Sequence, residues 1–184
     1  MTTQPQNHIA PQPNVAIRPA RPDDGPALAV VMAARGGTPS DHAPAAHWLL
    51  DRAPVLVVAE AALLQGTEVV GWSGATRTPL HPGGPVQWLT AGLTVDPAFR
   101  RRGIGHRLLQ AVIEAVGALH GGTLHSVVNA RNAPSLALHR SLGFTALETG
   151  PRFAGIEFDG GVGVLLMRPT GVSAQPQRVL TLRP

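Results

Sequence analysis

Residues 93–116 constrain the fold more than any other stretch, because a strand, a basic turn and an amphipathic helix follow one another there. The apolar run that ends at Val95 is broken by Asp96-Pro97, since proline lacks an amide hydrogen and disfavours helix in the preceding residue. Apolar residues then recur with the period of one buried helix face. They are Ile104, Leu108, Leu109, Val112, Ile113 and Val116. The pattern predicts a strand–turn–helix unit packed against a core.

The turn inside this unit carries an arginine cluster and two glycines. A helix N-terminus exposes free N–H groups and the positive end of the helix dipole, and glycines let a phosphate come close to the backbone. A tight connection with a solvated basic corner would explain the same residues. The match of Arg100, Gly103 and Gly105 to the pattern Arg-x-x-Gly-x-Gly favours an anion site.

This match resembles the acetyl-CoA signature of the GNAT superfamily of N-acetyltransferases, which reads Gln/Arg-x-x-Gly-x-Gly/Ala. A second segment, from Asn132 to Phe144, is similar to the family's Asn-x-x-Ala-x-x-Leu-Tyr-x-x-x-Gly-Phe motif. The two motifs occur in the family's order. The resemblance covers residues 14–168 and implies the GNAT fold.

The composition fits one folded domain. The chain has 184 residues, 43% of them hydrophobic and 14% charged, which is enough to bury a core and unlike a disordered chain. It contains no run of about 18 apolar residues, and its start lacks the apolar core of a signal peptide. We therefore expect no membrane partner and a cytoplasmic location. We predict a disordered leader over 1–13, the acetyltransferase domain over 14–169 and a tail over 170–184, with a further edge strand at 178–182 as one option.

The side-chain inventory narrows the chemistry. The net charge of +4 comes from arginine without lysine, and apart from residues 100–102 the arginines are scattered. With no tyrosine for base stacking, nucleic acid is not an expected partner. There is no cysteine for a disulfide, a nucleophile or a thiolate metal site, and no histidine pair has metal-ligand spacing with a supporting carboxylate. No metal is expected.

The remaining patterns predict the order β-α-α-β-β-β-α-β-α-β-β. Three hairpin-connected strands followed by helix crossovers indicate an α/β fold, a mixed sheet of about seven strands with helices on both faces. This order matches the GNAT fold. In such sheets ligands bind where neighbouring strands diverge, here between the strand that ends at Val95 and the one that ends near Asn129. Asp23 or Asp24 is expected to cap the first helix, and Ser40 or Asp41 the second.

The resemblance implies acetyl-CoA as cosubstrate and direct transfer to a primary amine in a ternary complex, which requires no Cys or Ser nucleophile. The pantetheine arm would pair with the backbone of Leu93, Thr94 and Val95 like an added strand, and an N–H near Val95 would stabilise the oxyanion. Asn132 would hold the cofactor from the other side. The residues implied for the pyrophosphate are Arg100, Arg101, Arg102, Gly103, Ile104, Gly105 and His106.

The reaction needs two proton transfers. An amine like that of lysine has a pKa of about 10.4 and must lose a proton before it attacks, for which a base helps. The leaving thiolate, whose thiol has a pKa of about 8.5, needs a general acid. The family commonly uses a tyrosine of the second motif as the acid, and the matching residue here is His139. We predict His139 as the general acid, with a spectator that packs beside the sulfur as the alternative. The glutamate that serves some relatives as base corresponds to Val127. Glu60, Glu68 and His125 are the nearest base candidates, and ordered water is favoured over all three.

The acceptor is a small-molecule or peptide amine by resemblance. His42, His47 and Trp48 lie in a segment that shapes the acceptor site in the family, and the favoured alternative is a core tryptophan with surface histidines. Three acidic residues near the sixth and seventh predicted strands either attract a cationic amine or belong to a solvated hairpin. They are Glu148, Glu157 and Asp159.

The missing tyrosine and glutamate support one alternative function, an acyl-CoA-binding regulatory or accessory GNAT-like domain with little turnover. A dinucleotide-binding protein is excluded, because Leu108 occupies the third glycine position of Gly-x-Gly-x-x-Gly and no acidic residue follows at the right place. A homodimer is a further option.

Overall fold

The structure is a computed structural model that describes residues 13–120, 122–158 and 160–171. The nine strands are β1 (Val15–Pro19), β2 (Val55–Leu63), β3 (Gly66–Pro79), β4 (Val86–Val95), β5 (Thr123–Asn129), β6 (Thr145–Gly150), β7 (Arg152–Phe153), β8 (Ile156–Glu157) and β9 (Gly163–Pro169). The four α-helices are α1 (Gly25–Ala33), α2 (Pro39–Arg52), α3 (Ile104–Ala118) and α4 (Ala133–Ser141). Residues 1–12 of the predicted leader, the optional strand at 178–182 and Asp159 lie outside the described residues.

Seven strands form one mixed sheet in the order β1-β2-β3-β4-β5-β9-β6. Strands β1 to β4 are antiparallel neighbours in chain order, and β9 pairs antiparallel with both β5 and β6. The two groups meet at the parallel pair β4–β5. The predicted α/β class with a seven-stranded mixed sheet is confirmed. Strands β7 and β8 form a separate hairpin that the sequence does not predict.

Helices cover both faces of this sheet, as predicted. All six apolar positions of α3 named above are at most 4% exposed and pack with Leu136 of α4 in the larger core cluster. Leu28 of α1 and Leu49 of α2 pack on the opposite face, against Val58 and Trp72. Among the described residues, no helix combines the length and the apolar character that crossing a bilayer requires.

The cap of the second helix differs from the prediction, and that of the first agrees in position only. Thr38, rather than Ser40 or Asp41, is the N-cap of α2, and its N–H donates to the Asp41 carboxylate at 2.7 Å in a capping box. Asp24 is the N-cap residue of α1, but its side chain makes no cap hydrogen bond. Its carboxylate accepts two hydrogen bonds from the Arg18 guanidinium, at 2.8 and 2.9 Å, and one from the Arg21 N–H at 2.6 Å.

A register shift in β4 sets which side chains reach the ligand side of the sheet. The pairing of β4 with β3 slips by one residue at Ala91, which makes a β-bulge. Trp88 before the bulge and Leu93 after it therefore pack on the same core cluster, although side chains five positions apart would face opposite sides of a regular strand. Thr90 faces the same side as both.

Candidate active site

A groove of about 1440 Å³ opens where β4 and β5 separate. Among the described residues, the two strands pair only at Trp88–Leu124 and Leu89–His125, and beyond these positions they diverge. This is the place where the sequence predicts a ligand. Typical small-molecule pockets hold roughly 300–1,000 Å³. The groove therefore has room for an elongated ligand together with a second molecule.

Most of the predicted site residues lie on the walls of this groove. His106 is the exception, since it is exposed and is not among the lining residues. The predicted residues that line the groove are Leu93, Thr94, Val95, Arg100, Arg101, Arg102, Gly103, Ile104, Gly105, Asn132 and His139.

The basic turn has the backbone conformation of an anion site. Arg101 and Gly103 have φ angles of 60° and 74°, in the left-handed region. Gly103 is also the N-cap of α3, so the free N–H groups of the first helical turn follow it directly. A Cβ added at Gly103 would meet no atom within 4 Å, which leaves the space beside the backbone open. Left-handed residues next to right-handed ones turn successive N–H groups towards one concave side that suits anions.

The three arginines of the turn have different surroundings. The Nε of Arg100 donates to the Val95 carbonyl at 3.0 Å, which ties the turn to the end of β4. The Arg102 guanidinium lies over the Phe99 ring, 5.2 Å from its centroid. Among the described residues, Arg101 has neither a hydrogen bond nor an ion pair through its side chain. Arg101 is therefore the cation most available to a ligand phosphate.

His139 lies deeper in the groove and is held at both ring nitrogens. Its Nδ1 is 2.8 Å from the Ser135 carbonyl oxygen, which can only accept, so Nδ1 carries the hydrogen. Its Nε2 is 2.8 Å from Ser126 Oγ and accepts from that hydroxyl. Ser126 Oγ accepts in turn from Thr90 Oγ1 at 2.7 Å. Three side chains from β4, β5 and α4 thus form one hydrogen-bonded chain.

Burial determines the charge of His139, which is 3% exposed. Desolvation lowers its pKa below the ordinary value of 6.5, while the hydrogen bond to Ser135 acts in the opposite direction. The Phe144 ring packs against the imidazole edge to face, at 5.1 Å between centroids. The imidazole is therefore neutral at pH 7, and its Nε2 holds no proton until one is delivered to it.

The three base candidates lie away from the groove walls. Glu60 accepts from Arg18 Nη2 at 2.7 Å, and Glu68 is exposed on β3. His125 directs its Nδ1 to the Trp88 carbonyl at 3.2 Å, and burial lowers its pKa. His125 and Ser126 are successive residues of β5 and point to opposite faces, which explains why only Ser126 reaches the groove.

The residues predicted for the acceptor side are dispersed. Trp48 is 55% exposed on α2, so it neither lines the groove nor fills the core. His42 and His47 are not on the groove walls either, and His42 Nε2 contacts the Gly36 carbonyl at 2.7 Å. The histidines therefore fit the surface alternative, whereas the tryptophan fits neither prediction.

Of the acidic candidates, Glu157 alone lines the groove among the described residues, and it forms an ion pair with Arg152. Glu148 lies elsewhere and is 3.3 Å from His81. Sequence reasoning missed several other lining residues. They include Arg35, Thr90, Ser126, Ile156 and Phe158. Polar residues inside apolar strands were the available signal for Thr90 and Ser126.

Residues 28–144 match the model of the Acetyltransferase (GNAT) family. The chain belongs to the GNAT acetyltransferase family. It is 37% identical over 79 residues to N-alpha-acetyltransferase RimI of Mycobacterium tuberculosis, a match that covers 43% of this chain and 47% of that protein. It is 44% identical over 52 residues to the ribosomal protein bS18-alanine N-acetyltransferase of Salmonella typhimurium. This match covers 28% of this chain and 35% of that protein. The chain spans less than half the length of the curated relatives it matches.

Solved structures of other proteins have the same fold as this chain. The structure of yncA from Salmonella typhimurium, determined with its cofactor acetyl-CoA, has a TM-score of 0.67 at 19% identity. The match covers 90% of this chain and 99% of that one. At this identity the likeness shows the shared GNAT fold.

The groove fits acetyl-CoA, the cosubstrate of the GNAT family. Within the described residues, β4 and β5 pair at two positions only, so the backbone of Leu93, Thr94 and Val95 is not paired with β5. The left-handed turn at Gly103 has the backbone conformation of an anion site, and Arg101 is part of the same turn.

Proposed function

We propose that the protein transfers the acetyl group of acetyl-CoA to a primary amine by direct attack in a ternary complex. One observation carries the proposal. A single groove combines an anion-binding turn at the start of α3 with a buried chain of hydroxyl and imidazole groups between β4, β5 and α4. The first feature suits a phosphate-bearing cosubstrate, and the second suits proton transfer next to its reactive end.

The chain's residues would divide the work along the groove. The turn from Arg100 to Gly105 would bind the pyrophosphate, and the open edge at Leu93–Val95 would align the pantetheine arm. A backbone N–H near Val95 would hold the negative charge that develops on the carbonyl oxygen. Bound acetyl-CoA supplies an acetyl carbon activated by a thiolate leaving group. With no cysteine in the chain, transfer without a thiol enzyme intermediate follows.

For the acceptor we propose the α-amine of a peptide chain. The support is the naming of two relatives, one as an N-alpha-acetyltransferase and one for an alanine of ribosomal protein bS18. Glu157 adds an acidic residue to the groove wall, where its carboxylate is paired with Arg152. A small-molecule amine is the competing acceptor class.

Cofactor binding is tested with Gly103→Glu and the control Gly83→Glu. Gly83 has a φ of 72° and, like Gly103, open space beside its Cα, so both variants carry the same strain and the same added charge. Only Gly103 lines the groove. We expect calorimetry to show that wild type and Gly83→Glu bind acetyl-CoA with the same affinity. The affinity of Gly103→Glu should be about tenfold lower, which corresponds to roughly 1.4 kcal/mol. Equal binding by all three proteins would contradict the proposed site.

Turnover is tested by following CoA release with peptides, polyamines, aminoglycosides and free amino acids. Release with peptides that have a free N-terminal amine, and loss of release after N-terminal blocking, is the expected result. Release with polyamines or aminoglycosides alone would reassign the acceptor class. Binding of acetyl-CoA without release by any amine would instead favour the accessory-domain alternative.

We also propose a cytoplasmic location and a homodimer. The use of acetyl-CoA, an intracellular thioester, supports the location. Strand β6 supports the homodimer, because it lies at the edge of the sheet and is exposed along nearly all of its length. Cell fractionation and light scattering on the purified protein test the two proposals.

A further inference from the structure

Thr90, Ser126 and His139 form a continuous hydrogen-bonded chain on the wall of the groove. We infer that this chain is a proton relay, in which Thr90 takes a proton from the attacking amine and His139 holds it at Nε2. The inference rests on the proposed acetyltransferase function and supplies the base that the sequence does not identify. It also changes the role of His139, which accepts a proton before it can donate one.

The direction of the relay follows from its fixed end. The Ser135 carbonyl requires a hydrogen on His139 Nδ1, which leaves Nε2 as an acceptor for Ser126. Ser126 has given its hydrogen to Nε2 and therefore accepts from Thr90. Each hydroxyl donates towards the histidine, so lone pairs of Thr90 Oγ1 remain for a donor that enters the groove.

The position of the relay follows from the sheet. Leu89 and His125 are the last paired residues of β4 and β5, and Thr90 and Ser126 come directly after them on the two strands. The hydroxyl pair therefore spans the point where the strands begin to diverge, at the inner end of the groove. His139 reaches the same point from α4, one helical turn after Ser135. The relay crosses from the wall formed by β4 to the wall formed by β5 and α4.

The proton moves in a closed cycle. The C–N bond forms as the C–S bond breaks, and Thr90 Oγ1 takes a proton from the amine nitrogen while it passes its own to Ser126. Ser126 passes its proton to His139 Nε2, and the hydrogen bonds of the chain then point the opposite way. The imidazolium is stabilised through Nδ1 by the Ser135 carbonyl. His139 then returns one proton through Ser126 and Thr90 to the departing sulfur. The chain is neutral again, and the protein keeps no extra proton.

Other charged groups do not fix the charge of His139. Those that line the same groove are Arg35 in the turn after α1, Arg100, Arg101 and Arg102 in the basic turn, and Glu157 on β8. Among the described residues, none of them has a hydrogen bond or ion pair with the imidazole. The imidazole contacts Ser126, Ser135 and the Phe144 ring.

The first test measures the tautomer in the ligand-free protein. Long-range ¹H–¹⁵N NMR at pH 7, with His139 identified by the signals lost in His139→Gln, is expected to show a protonated Nδ1 and an unprotonated Nε2. In Ser126→Ala the hydroxyl that donates to Nε2 is absent, so the ¹⁵N signal of Nε2 should shift to the value of an unprotonated nitrogen without a hydrogen bond. The ¹⁵N signal of Nδ1 should not shift. A hydrogen on Nε2 in the wild type would overturn the inference without touching cofactor binding.

The second test compares Thr90→Val, Thr90→Ser and the control Thr149→Val. Valine keeps the shape of threonine but has no hydroxyl, and Thr149 lies exposed on β6 outside the groove. We expect Thr90→Val to lower kcat about 100-fold, with acetyl-CoA binding by calorimetry within twofold of wild type. Thr90→Ser should recover most of the rate, and Thr149→Val should match wild type.

The pH profile separates a relay from a packing effect. In the wild type kcat should fall on the acid side as Nε2 becomes protonated, and this limb should be absent from the residual rate of Thr90→Val. Equal kcat in wild type and Thr90→Val would overturn the relay and leave the acetyltransferase function intact. Absence of turnover in the wild type with every amine would overturn the proposed function and the catalytic role of the relay with it.

Discussion

At the scale of single residues, His139 makes the stability of the fold depend on pH. The imidazole is buried and neutral in the folded protein, with a pKa lowered from 6.5 by desolvation. The unfolded chain binds a proton to this histidine at a higher pH than the folded protein does. Acid therefore favours the unfolded state.

We predict that the free energy of unfolding decreases as pH falls below about 6.5 and continues to decrease until the folded-state pKa of His139 is passed. His125, whose pKa is also lowered by burial, contributes in the same direction. Urea denaturation at several pH values between 7.5 and 5 measures the slope. His139→Gln should reduce this slope, and His106→Gln, at an exposed position, controls for loss of a histidine. A slope unchanged in His139→Gln would contradict the prediction.

Residue by residue, the sequence predicts the local part of the site and misses the part made by distant contacts. The basic turn can be predicted, because Arg100, Gly103 and Gly105 lie within six positions and their spacing carries the information. The contact of Thr90 with Ser126 joins residues 36 positions apart. It depends on the bulge in β4. Gly92 beside the bulge is a general signal, because glycine inside a strand marks either a bulge or a close approach of another group, but it does not indicate which side chains then meet.

At the scale of secondary-structure elements, Arg18 fastens three of them together. It projects from β1, donates to Glu60 of β2 at 2.7 Å, and makes two hydrogen bonds to Asp24 at the start of α1. The Arg18 guanidinium lowers the pKa of the Asp24 carboxyl, whose side chain is only 8% exposed. Removing the guanidinium would leave a nearly buried carboxylate without its partner.

We predict that Arg18→Met lowers the free energy of unfolding at pH 7 by about 3 kcal/mol, the range for breaking a buried ion pair. Arg52→Met is the matched control, because Arg52 and its partner Asp51 are about 70% exposed and such surface pairs contribute little. Chemical denaturation of both variants measures the difference. Equal losses in the two proteins would refute the structural role of Arg18.

Element by element, the longer strands and helices are predictable and the small connections are not. Strands β2 to β5 have apolar runs long enough for their pattern to be recognised. The β7–β8 hairpin has two residues per strand, too few for any period, yet it brings Glu157 to the groove. Gln65-Gly66-Thr67 predicts a hairpin turn, whereas the turn between β2 and β3 falls at residues 64–65.

At the scale of the whole molecule, the sheet consists of two antiparallel halves joined by two residue pairs, Trp88–Leu124 and Leu89–His125. Strands β1 to β4 form one half and β5, β9 and β6 the other. Beyond this junction, acetyl-CoA would occupy the space that another strand would fill in a continuous sheet. Binding should therefore protect the junction side of β4 and leave the outer strands unchanged.

Hydrogen–deuterium exchange tests this expectation. Acetyl-CoA should slow exchange in peptides that contain Leu93–Val95 and in the turn at Gly103, whereas β1 at the far edge should exchange at the same rate. Gly103→Glu should abolish the protection at the ligand concentration that saturates wild type. Protection distributed evenly over all strands would indicate global stabilisation instead of a ligand bound along β4.

The strand order also has a consequence for how the protein is synthesised. Strand β6 pairs with β9 and with no other strand of the described sheet, yet β9 comes later in the chain. The first four strands can form their ladders as each one leaves the ribosome, whereas β6 emerges before its partner exists. The half of the sheet that contains Ser126 and supports His139 can close only after residues 163–169 have been translated. The wall of the groove that β5 and α4 form is thus supported by a strand that is translated after both of them.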